Sequence, residues 1–172
     1  QWVDETYDEL GPWLARADLI IVCVPVKVIA SLFSQLNLFC SKHALITDVG
    51  STKSNIVKCA SKYKLNFIGG HPMAGNEVAG IAGADAKLFM GKTWFLVKSQ
   101  KNKSEYTLLA KLIGSLGAKV SYIDAQSHDA GVMWISHLPH VLAFNALHLV
   151  KQQANYFLQH IGSSFKSLTR VA

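Results

Sequence analysis

The sequence lacks the two glycine-rich motifs that would directly identify a nucleotide-binding site. GxGxxG, the dinucleotide-binding fingerprint, occurs nowhere in the 172 residues. Lys53-Ser54 follows Gly50, but a phosphate-binding loop needs a glycine directly before the lysine and another five residues earlier. An NTPase of that type is therefore excluded.

Cysteine is also scarce. The chain has 3 cysteines, an odd number, and none of them form a CxxC pair. This excludes a disulfide framework and a typical zinc site. We expect Cys23, Cys40 and Cys59 to be buried, reduced thiols in a cytoplasmic protein.

Long apolar runs and high charge are missing as well. Charged residues make up 16% of the chain and hydrophobic residues 50%, which excludes disorder as a class. No apolar run approaches the roughly 18 residues that a membrane span needs. The richest stretch, residues 138–150, is interrupted by Pro139, His140, Asn145 and His148. We expect no membrane partner.

The basic residues are not concentrated in one patch. Net charge is +6, and the densest group is Lys98, Lys101 and Lys103, with no aromatic residue nearer than Phe95 and Tyr106. A solvated loop explains this group better than a nucleic-acid surface does. We expect no nucleic-acid partner, and a mild positive field would suit a small anionic substrate.

Short buried strands alternate with amphipathic helices over the first part of the chain. The residue pattern predicts strands at residues 18–25, 44–49, 66–70, 93–97 and 119–123. It predicts helices at residues 26–39, 53–63 and about 106–116, and a loop at residues 71–75. This alternation favours right-handed βαβ units, and hence an α/β fold with a parallel sheet.

The character changes near residue 125. Helical spacing dominates up to about residue 159, and residues 162–164 are predicted to form a loop. We therefore predict an α/β domain over residues 1–125 and the start of a helical domain over residues 126–172. Because the chain begins with Gln and the helical part is short, we expect a piece of a longer protein.

Three predicted strands end in turns, two of which contain glycines and side chains that could bind or react with a ligand. These turns are residues 24–25, 50–53 and 69–71, and they contain glycines, a hydroxyl, an amine and an imidazole. In open parallel sheets, ligands bind beyond the carboxyl ends of the strands. A ligand site at this edge and a set of ordinary turn residues are both open interpretations.

His71 is the candidate general base. It follows two glycines that would permit close approach of a ligand, and Pro72 stiffens the chain after it. An imidazole titrates near neutrality and can take a proton from a hydroxyl group. Ser51, at the end of the neighbouring strand, is a candidate to orient the ring. The alternative is a histidine that merely caps a loop.

A polar stripe is predicted on the helix after residue 125. Asp129, Met133, Ser136 and His140 are four, three and four residues apart, so they share one face of an α-helix. A substrate-facing stripe and a partly buried, satisfied stripe remain open. His137 and His140 have the spacing of a metal pair, but no third ligand accompanies them and we expect no metal.

Several segments together resemble the prephenate/arogenate dehydrogenases of tyrosine biosynthesis. They are Asp-Val-Gly-Ser-Thr-Lys at residues 48–53, Gly-Gly-His-Pro-Met-Ala-Gly at 69–75 and Ser-His-Leu-Pro-His at 136–140. His-Asp at 128–129 and the final Phe-Lys-Ser-Leu-Thr-Arg-Val-Ala at 165–172 also resemble the family. The segments occur in the family's order across nearly the whole chain.

The resemblance implies a two-part enzyme. A Rossmann-type domain would bind NAD or NADP, and a helical domain would form a homodimer. The reaction would be oxidative decarboxylation of prephenate or arogenate to 4-hydroxyphenylpyruvate or tyrosine. The family's glycine-rich first βαβ segment would lie upstream of this chain and most of the helical domain downstream. These 172 residues alone are therefore not expected to bind dinucleotide.

The resemblance also implies residue roles. His71 matches the catalytic histidine, and Ser51 matches a serine that contacts both that histidine and the nicotinamide. Ser136 and His140 match substrate-side positions, and Arg170 matches an arginine that engages a substrate carboxylate.

Four residues are implied at the cofactor. Val24 and Pro25 match the strand end that lines the cofactor. Gly50 and Ser51 follow the next predicted strand, at the same edge of the sheet. Two alternatives remain: a non-catalytic interaction module, and another hydroxyacid dehydrogenase. The latter usually has a catalytic lysine on the interdomain helix, where this chain has none before Lys151.

Overall fold

A three-stranded parallel sheet forms the first half of the molecule. The computed structural model describes residues 3–76, 78, 80–97 and 103–170. Strands β1 (Leu19–Val22), β2 (Leu45–Asp48) and β3 (Phe67–Ile68) lie in the order β1-β2-β3. Helices α1 (Val26–Phe39) and α2 (Ser54–Lys62) connect them. The predicted alternation is confirmed here, and α1 has the predicted bounds.

The core of this half lies between α1 and the sheet. Ile29, Phe33 and Leu36 recur at helical spacing, and all three are buried against Val22 and Ile46. Every residue of β2 is buried, as expected for a strand covered on both faces. Burial of each large apolar side chain contributes roughly 1.5–3 kcal/mol, and this holds the strand ends in place.

A second three-stranded sheet follows, and its strand directions are mixed. It contains β4 (Gly70–Pro72), β5 (Thr93–Val97) and β6 (Lys119–Ile123), with α3 (Lys103–Ser115) between β5 and β6. β5 and β6 are parallel, whereas β4 runs antiparallel to β5. Of the three lysines predicted to lie in a solvated loop, Lys98 and Lys101 are outside the described residues. Lys103 is the first residue of α3 and so does not lie in a loop.

The predicted loop at residues 71–75 is wrong at His71 and Pro72, which lie in β4, and β4 is the strand that departs from the parallel direction of the others described. His71 pairs with Phe95 in an antiparallel ladder. The backbone N–H of Val97 donates to the carbonyl of Gly69, and that of Met73 donates to the carbonyl of Thr93, both at 2.8 Å. Three residues are too few to show an alternating pattern, so only the partner strand reveals this one.

The last part of the described chain is helical, as predicted. α4 (Ala125–Val132) leads through a π-helical turn (Met133–His137) into α5 (Leu138–Gln153). The backbone N–H of Leu138 donates to the carbonyl of Met133, five residues back. Pro139 follows at once and has no N–H to continue a regular α pattern.

Two further expectations are wrong. Ser163 and Ser164 begin a helix, α6 (Ser163–Thr169), because extended Gly162 serves as its N-cap. Cys23 is exposed, and Cys40 and Cys59 are only partly buried, although all three are free thiols. No helix in the described ranges is both long and apolar enough to cross a membrane.

Candidate active site

Two buried histidines meet where the second sheet touches the helical part. His71, in the middle of β4, is 7% exposed, and His128, in α4, is 1% exposed. Nδ1 of His71 lies 2.8 Å from Nε2 of His128. The two rings pack edge to face with their centroids 5.0 Å apart. The hydrogen bond joins elements that are far apart in the sequence.

Asp129 anchors the second histidine. Its Oδ1 lies 2.8 Å from Nδ1 of His128 and accepts the backbone N–H of Lys53 at 2.7 Å, while its Oδ2 accepts the N–H of Ser54 at 2.8 Å. Ser54 Oγ also donates to the carbonyl of Ala125. Burial would raise the pKa of Asp129, but the hydrogen bonds from Ser54, His128 and Lys53 outweigh it and lower the pKa to about 2. Asp129 is therefore a carboxylate at neutral pH.

The ionised carboxylate sets the direction of its own hydrogen bond with His128, and the direction of the second bond follows when His128 is neutral. Because a carboxylate can only accept, Nδ1–H of His128 donates to Asp129. Nε2 of a neutral His128 then accepts, and Nδ1–H of His71 donates to it. This chain leaves the lone pair of His71 on Nε2, the nitrogen that a general base needs free.

Nε2 of His71 has no hydrogen-bond partner among the described residues. Among the described residues, Thr47 Oγ1 and Trp94 Nε1 are the buried side-chain polar atoms that have no hydrogen-bond partner. Nε2 of His71 is not one of these buried atoms, and no described residue bonds to it. Among the described residues, the hydrogen-bond partner of the His71 ring is thus His128, through Nδ1.

The surroundings of His71 disfavour positive charge. Burial is the largest cause, followed by His128, Lys53 and His137, and together they lower the pKa of His71 to about 4 against the opposing effect of Asp129. The ring is neutral at pH 7 and able to accept a proton.

A buried ion pair holds β4 beside β2. The ammonium of Lys53 donates to the carboxylate of Asp48 and, at 2.8 Å, to the carbonyl of Gly70. Asp48 also accepts the backbone N–H of Gly50 at 2.9 Å and of Gly70 at 3.1 Å. Burial lowers the pKa of Lys53 and raises that of Asp48, and their attraction opposes both shifts. The pair positions the residue directly before His71.

The two glycines before His71 allow close protein packing. A Cβ on Gly70 would lie 2.5 Å from the backbone oxygen of Asp48, and a Cβ on Gly69 would lie 3.3 Å from Cδ of Lys53. The expectation that these glycines leave room for a ligand is therefore wrong, because protein atoms already fill that space.

The predicted cofactor residues share one edge of the first sheet. Val24 and Pro25 follow β1, and Gly50 and Ser51 follow β2, which is its parallel neighbour. Pro25 is exposed, whereas Val24 and Ser51 are partly buried. Their position beyond the carboxyl strand ends suits one end of a dinucleotide. The hydrogen bond that orients His71 comes from His128, however, whereas the sequence indicated Ser51 for that role.

The predicted substrate residues are spread over the helical part. Ser136 is partly buried in the π-helical turn, His140 is exposed in α5, and Arg170 is exposed directly after α6. Nδ1 of His140 lies 2.8 Å from the carbonyl oxygen of Ser136. The π-helical turn adds an offset between Asp129 and His140, so the single polar face expected from α-helical spacing does not form.

Sequence reasoning missed four members of the site. The sequence pattern marks His128 only as a motif residue and Asp129 only as part of a polar stripe, and it gives no sign that Asp48 and Lys53 pair with each other. One signal was present: a His-Asp dipeptide at the start of a predicted helix, five residues or fewer after a strand. That pattern places an imidazole and a carboxylate near a sheet edge.

Comparisons with known proteins decide the family. The model described as "Prephenate dehydrogenase, nucleotide-binding domain" matches residues 3–122, and "Prephenate dehydrogenase, dimerization domain" matches residues 124–172. The chain belongs to the prephenate dehydrogenase family. The prephenate dehydrogenases of Lactococcus lactis and Bacillus subtilis are 38% and 30% identical to it, over 95% and 99% of this chain. The chain covers 47% and 48% of those relatives, about half of their length.

Solved structures agree with this assignment. Prephenate dehydrogenase from Aquifex aeolicus, in complex with hydroxyphenyl propionate and NAD+, matches 90% of this chain and 56% of its own, with 29% identity and a TM-score of 0.81. Synechocystis arogenate dehydrogenase matches 93% of this chain and 60% of its own, with 30% identity and a TM-score of 0.74.

In this prephenate dehydrogenase family member, the histidine pair lies at the junction of the two family models. His71 falls within the nucleotide-binding model, and His128 and Asp129 fall within the dimerization model. The hydrogen bonds of the site therefore join the two parts of the chain.

Proposed function

We propose that the protein containing this chain is an NAD- or NADP-dependent dehydrogenase that oxidatively decarboxylates prephenate or arogenate, giving 4-hydroxyphenylpyruvate or tyrosine. The observation that carries the proposal is the buried imidazole of His71, whose Nδ1 lies 2.8 Å from His128 and whose pKa is lowered to about 4. Membership of the family, and the names of relatives that act on prephenate or arogenate, support the substrate class. A match to both family models favours an enzyme over a non-catalytic module.

His71 would act as the general base. Its Nε2 accepts the proton of the substrate's ring hydroxyl, and the electron pair of the O–H bond then forms the carbonyl π bond as hydride leaves the ring carbon. The bound, oxidised nicotinamide supplies the hydride acceptor. Loss of carbon dioxide makes the ring aromatic, so the chain's own task is to position the reactants and hold one proton.

Three residues would bind the substrate. The guanidinium of Arg170 has the planar fork that matches a carboxylate, and prephenate and arogenate each carry two carboxylates. Ser136 and His140 offer a hydroxyl and an imidazole from neighbouring helical turns. We place these roles on the motifs that carry the family resemblance.

Four residues would line the nicotinamide end of the cofactor. Val24, Pro25, Gly50 and Ser51 follow two adjacent parallel strands, the usual location of dinucleotides in such sheets. A side chain at Gly50 would meet Oδ2 of Asp48 and Cδ1 of Ile29 at 2.9 Å, so the backbone there must stay bare. We assign catalysis to Ser51 as well, through contact with the nicotinamide.

The helical part would form a homodimer. We divide the chain near residue 125, between a dinucleotide-binding part and a substrate and dimerisation part. Several large apolar side chains of the π-helical turn and α5 are exposed, as an uncovered interface requires. They are Trp134, Ile135, Val141, Leu142, Phe144 and Leu149. We propose that the protein is cytoplasmic and forms a dimer. Sedimentation of the natural protein tests the dimer.

Replacement of the base tests the function. In the natural protein that contains this chain, His71→Asn should reduce turnover of prephenate or arogenate by roughly 10²–10⁴-fold, the usual contribution of a general base. The assay follows NAD(P) reduction with each substrate in turn. His43→Asn, at an exposed histidine in the connection between α1 and β2, is the matched control and should retain activity. Near-wild-type turnover in the His71 variant would refute the assignment.

A further inference from the structure

We propose that His71, His128 and Asp129 form a proton relay, in which the proton taken from the substrate hydroxyl comes to rest on His128. The proposal rests on the function proposed above and deepens it by naming the group that finally holds the proton. His128 acts as the relay residue, and Asp129 acts as its positioning residue.

The geometry of the relay is continuous. Two contacts of 2.8 Å link the three side chains, one from His71 Nδ1 to His128 Nε2 and one from His128 Nδ1 to Asp129 Oδ1. The His128 side chain is fully buried, so both of its ring nitrogens are engaged inside the protein. No water molecule is needed between the groups, since each pair lies at direct hydrogen-bond distance.

The charges around the two rings differ. Burial first, and then His128, Lys53 and His137, disfavour a positive charge on His71, and Asp129 opposes them. His128 instead contacts the carboxylate of Asp129 directly. An imidazolium at His128 therefore lies in direct contact with an anion, whereas the hydrogen-bond partner of His71 among the described residues is the His128 ring and not a carboxylate. The electrostatic balance favours the proton on His128.

The anchor of Asp129 makes the arrangement rigid. Its two oxygens accept the backbone N–H groups of Lys53 and Ser54 at the start of α2, where the helix dipole also favours negative charge. The carboxylate is thus held in place by main-chain atoms, and it stays ionised. It can stabilise a neighbouring imidazolium without taking the proton itself, as the carboxylate of a Ser-His-Asp triad does.

The proton transfer balances in two linked steps. The O–H bond of the substrate breaks and an N–H bond forms at Nε2 of His71. The Nδ1–H bond of His71 breaks and an N–H bond forms at Nε2 of His128. His71 ends neutral, with its hydrogen on Nε2, and His128 ends as an imidazolium beside Asp129. The electron pair of the O–H bond stays with the substrate. After product leaves, the proton on His128 returns to Nδ1 of His71, and the hydrogen on Nε2 of His71 is released to water.

His128→Gln separates a relay from mere positioning. The glutamine oxygen can still accept Nδ1–H of His71, so the orientation of the ring is retained, but it cannot take the proton. We expect kcat to fall roughly 10- to 100-fold, because a weaker base remains, with the KM for substrate little changed. We also expect the acid limb of the kcat/KM profile to move to lower pH, because His71 must now hold the proton alone.

Pure positioning predicts the opposite pH shift. If His128 only orients His71, kcat stays within a few-fold of wild type in His128→Gln. The acid limb then moves to higher pH, because a neighbour that disfavours charge on His71 has been removed. Either result would overturn the relay. His43→Gln, at an exposed histidine away from β4 and α4, is the matched control and should change neither quantity.

An Asp129 variant and an NMR measurement on the wild-type protein complete the test. Asp129→Asn should also lower kcat and move the acid limb to lower pH, because the anion that stabilises the imidazolium is gone. Nitrogen NMR of the wild-type imidazoles should find the first added proton on Nε2 of His128. Observation of that proton on Nε2 of His71, with Nε2 of His128 unprotonated, overturns the relay even if a variant fails to fold.

Failure of the relay and failure of the function give different results. If His71→Asn reduces turnover roughly 10²–10⁴-fold while His128→Gln stays within a few-fold of wild type, the dehydrogenase stands and the relay falls. If wild-type protein reduces NAD(P) with neither prephenate nor arogenate, the proposed function falls. The NMR titration reports on proton placement independently of substrate.

Discussion

Nδ1 of His71 and Nε2 of His128 share a 2.8 Å hydrogen bond although they are 57 residues apart in the sequence. One ring belongs to a three-residue strand and the other to the first helix of the helical part. Both residues are buried, so this contact between the rings is made inside the protein. The bond therefore fixes the tautomer of the base and joins the two parts of the chain.

The stability of the fold should depend on pH through His71. Burial first, then the neighbouring groups, lower its pKa from 6.5 to about 4 in the folded chain. The unfolded chain binds a proton more readily in that interval, so stability is lost as pH falls from about 6.5 to about 4. The loss should amount to about 3 kcal/mol.

Urea denaturation at several pH values checks this. The His71→Asn variant should show a flatter pH dependence in the same interval, whereas His43→Asn should keep the wild-type slope. Equal slopes in wild type and the His71 variant would contradict the folded-state titration that we assign to this ring.

The buried ion pair should be sensitive to loss of one partner. Lys53→Met leaves the Asp48 carboxylate buried without its cation and removes a donor from Gly70. We expect destabilisation by about 3–5 kcal/mol in chemical denaturation. Lys62→Met, at the exposed end of α2, should stay within about 0.5 kcal/mol of wild type. A similar small change at Lys53 would mean that the pair does not hold β4 in place.

Substitution by alanine should change the free energy of unfolding in opposite directions at Gly70 and Gly114. At Gly70, a Cβ would lie 2.5 Å from the backbone oxygen of Asp48, so β4 must move, and we expect a loss of about 1–3 kcal/mol and reduced turnover. Gly114 lies inside α3 with open space around its Cβ position, and alanine there should stabilise by about 0.5–1 kcal/mol. Thermal unfolding of both variants measures the two stability changes. Wild-type stability in Gly70→Ala would contradict the close packing at that position.

Arg170 should act on substrate binding and not on the cofactor. Arg170→Gln removes the charged fork from a position directly after α6. We expect kcat/KM for prephenate or arogenate to fall roughly 10- to 100-fold, the effect of losing a hydrogen bond to a charged group, with the Kd for NAD(P) unchanged. Arg16→Gln, in a surface ion pair with Glu5, is the matched control. Equal kinetics in the two variants would remove Arg170 from the substrate site.

Much of the fold was predictable because its signals are local. The buried run that ends in Val24-Pro25 and the apolar spacing of Ile29, Phe33 and Leu36 identify β1 and α1 without any knowledge of their neighbours. The strand β4 escaped prediction because it spans three residues and, within the part of the chain that the structure describes, it pairs with β5 alone.

The candidate site was predictable in part for the same reason. His71 stands at the end of a recognisable strand, in a motif that resembles the family, so its role as a base could be proposed directly. Its partner could not, because Ser51 and His128 are equally plausible neighbours until α4 is placed against β4. The π-helical turn likewise changed which residues share a face with Asp129.

The sequence by itself determined the alternation of strands and helices, the basic but unclustered charge and the imidazole at position 71. Periodicity and residue chemistry are properties of neighbouring positions, so they can be read along the chain. Only the tertiary structure decided that His128 and Asp129 face His71 and that Lys53 neutralises Asp48 in the interior. These pairings depend on how distant elements dock, and docking is set by the packing of whole surfaces that no short stretch of sequence contains.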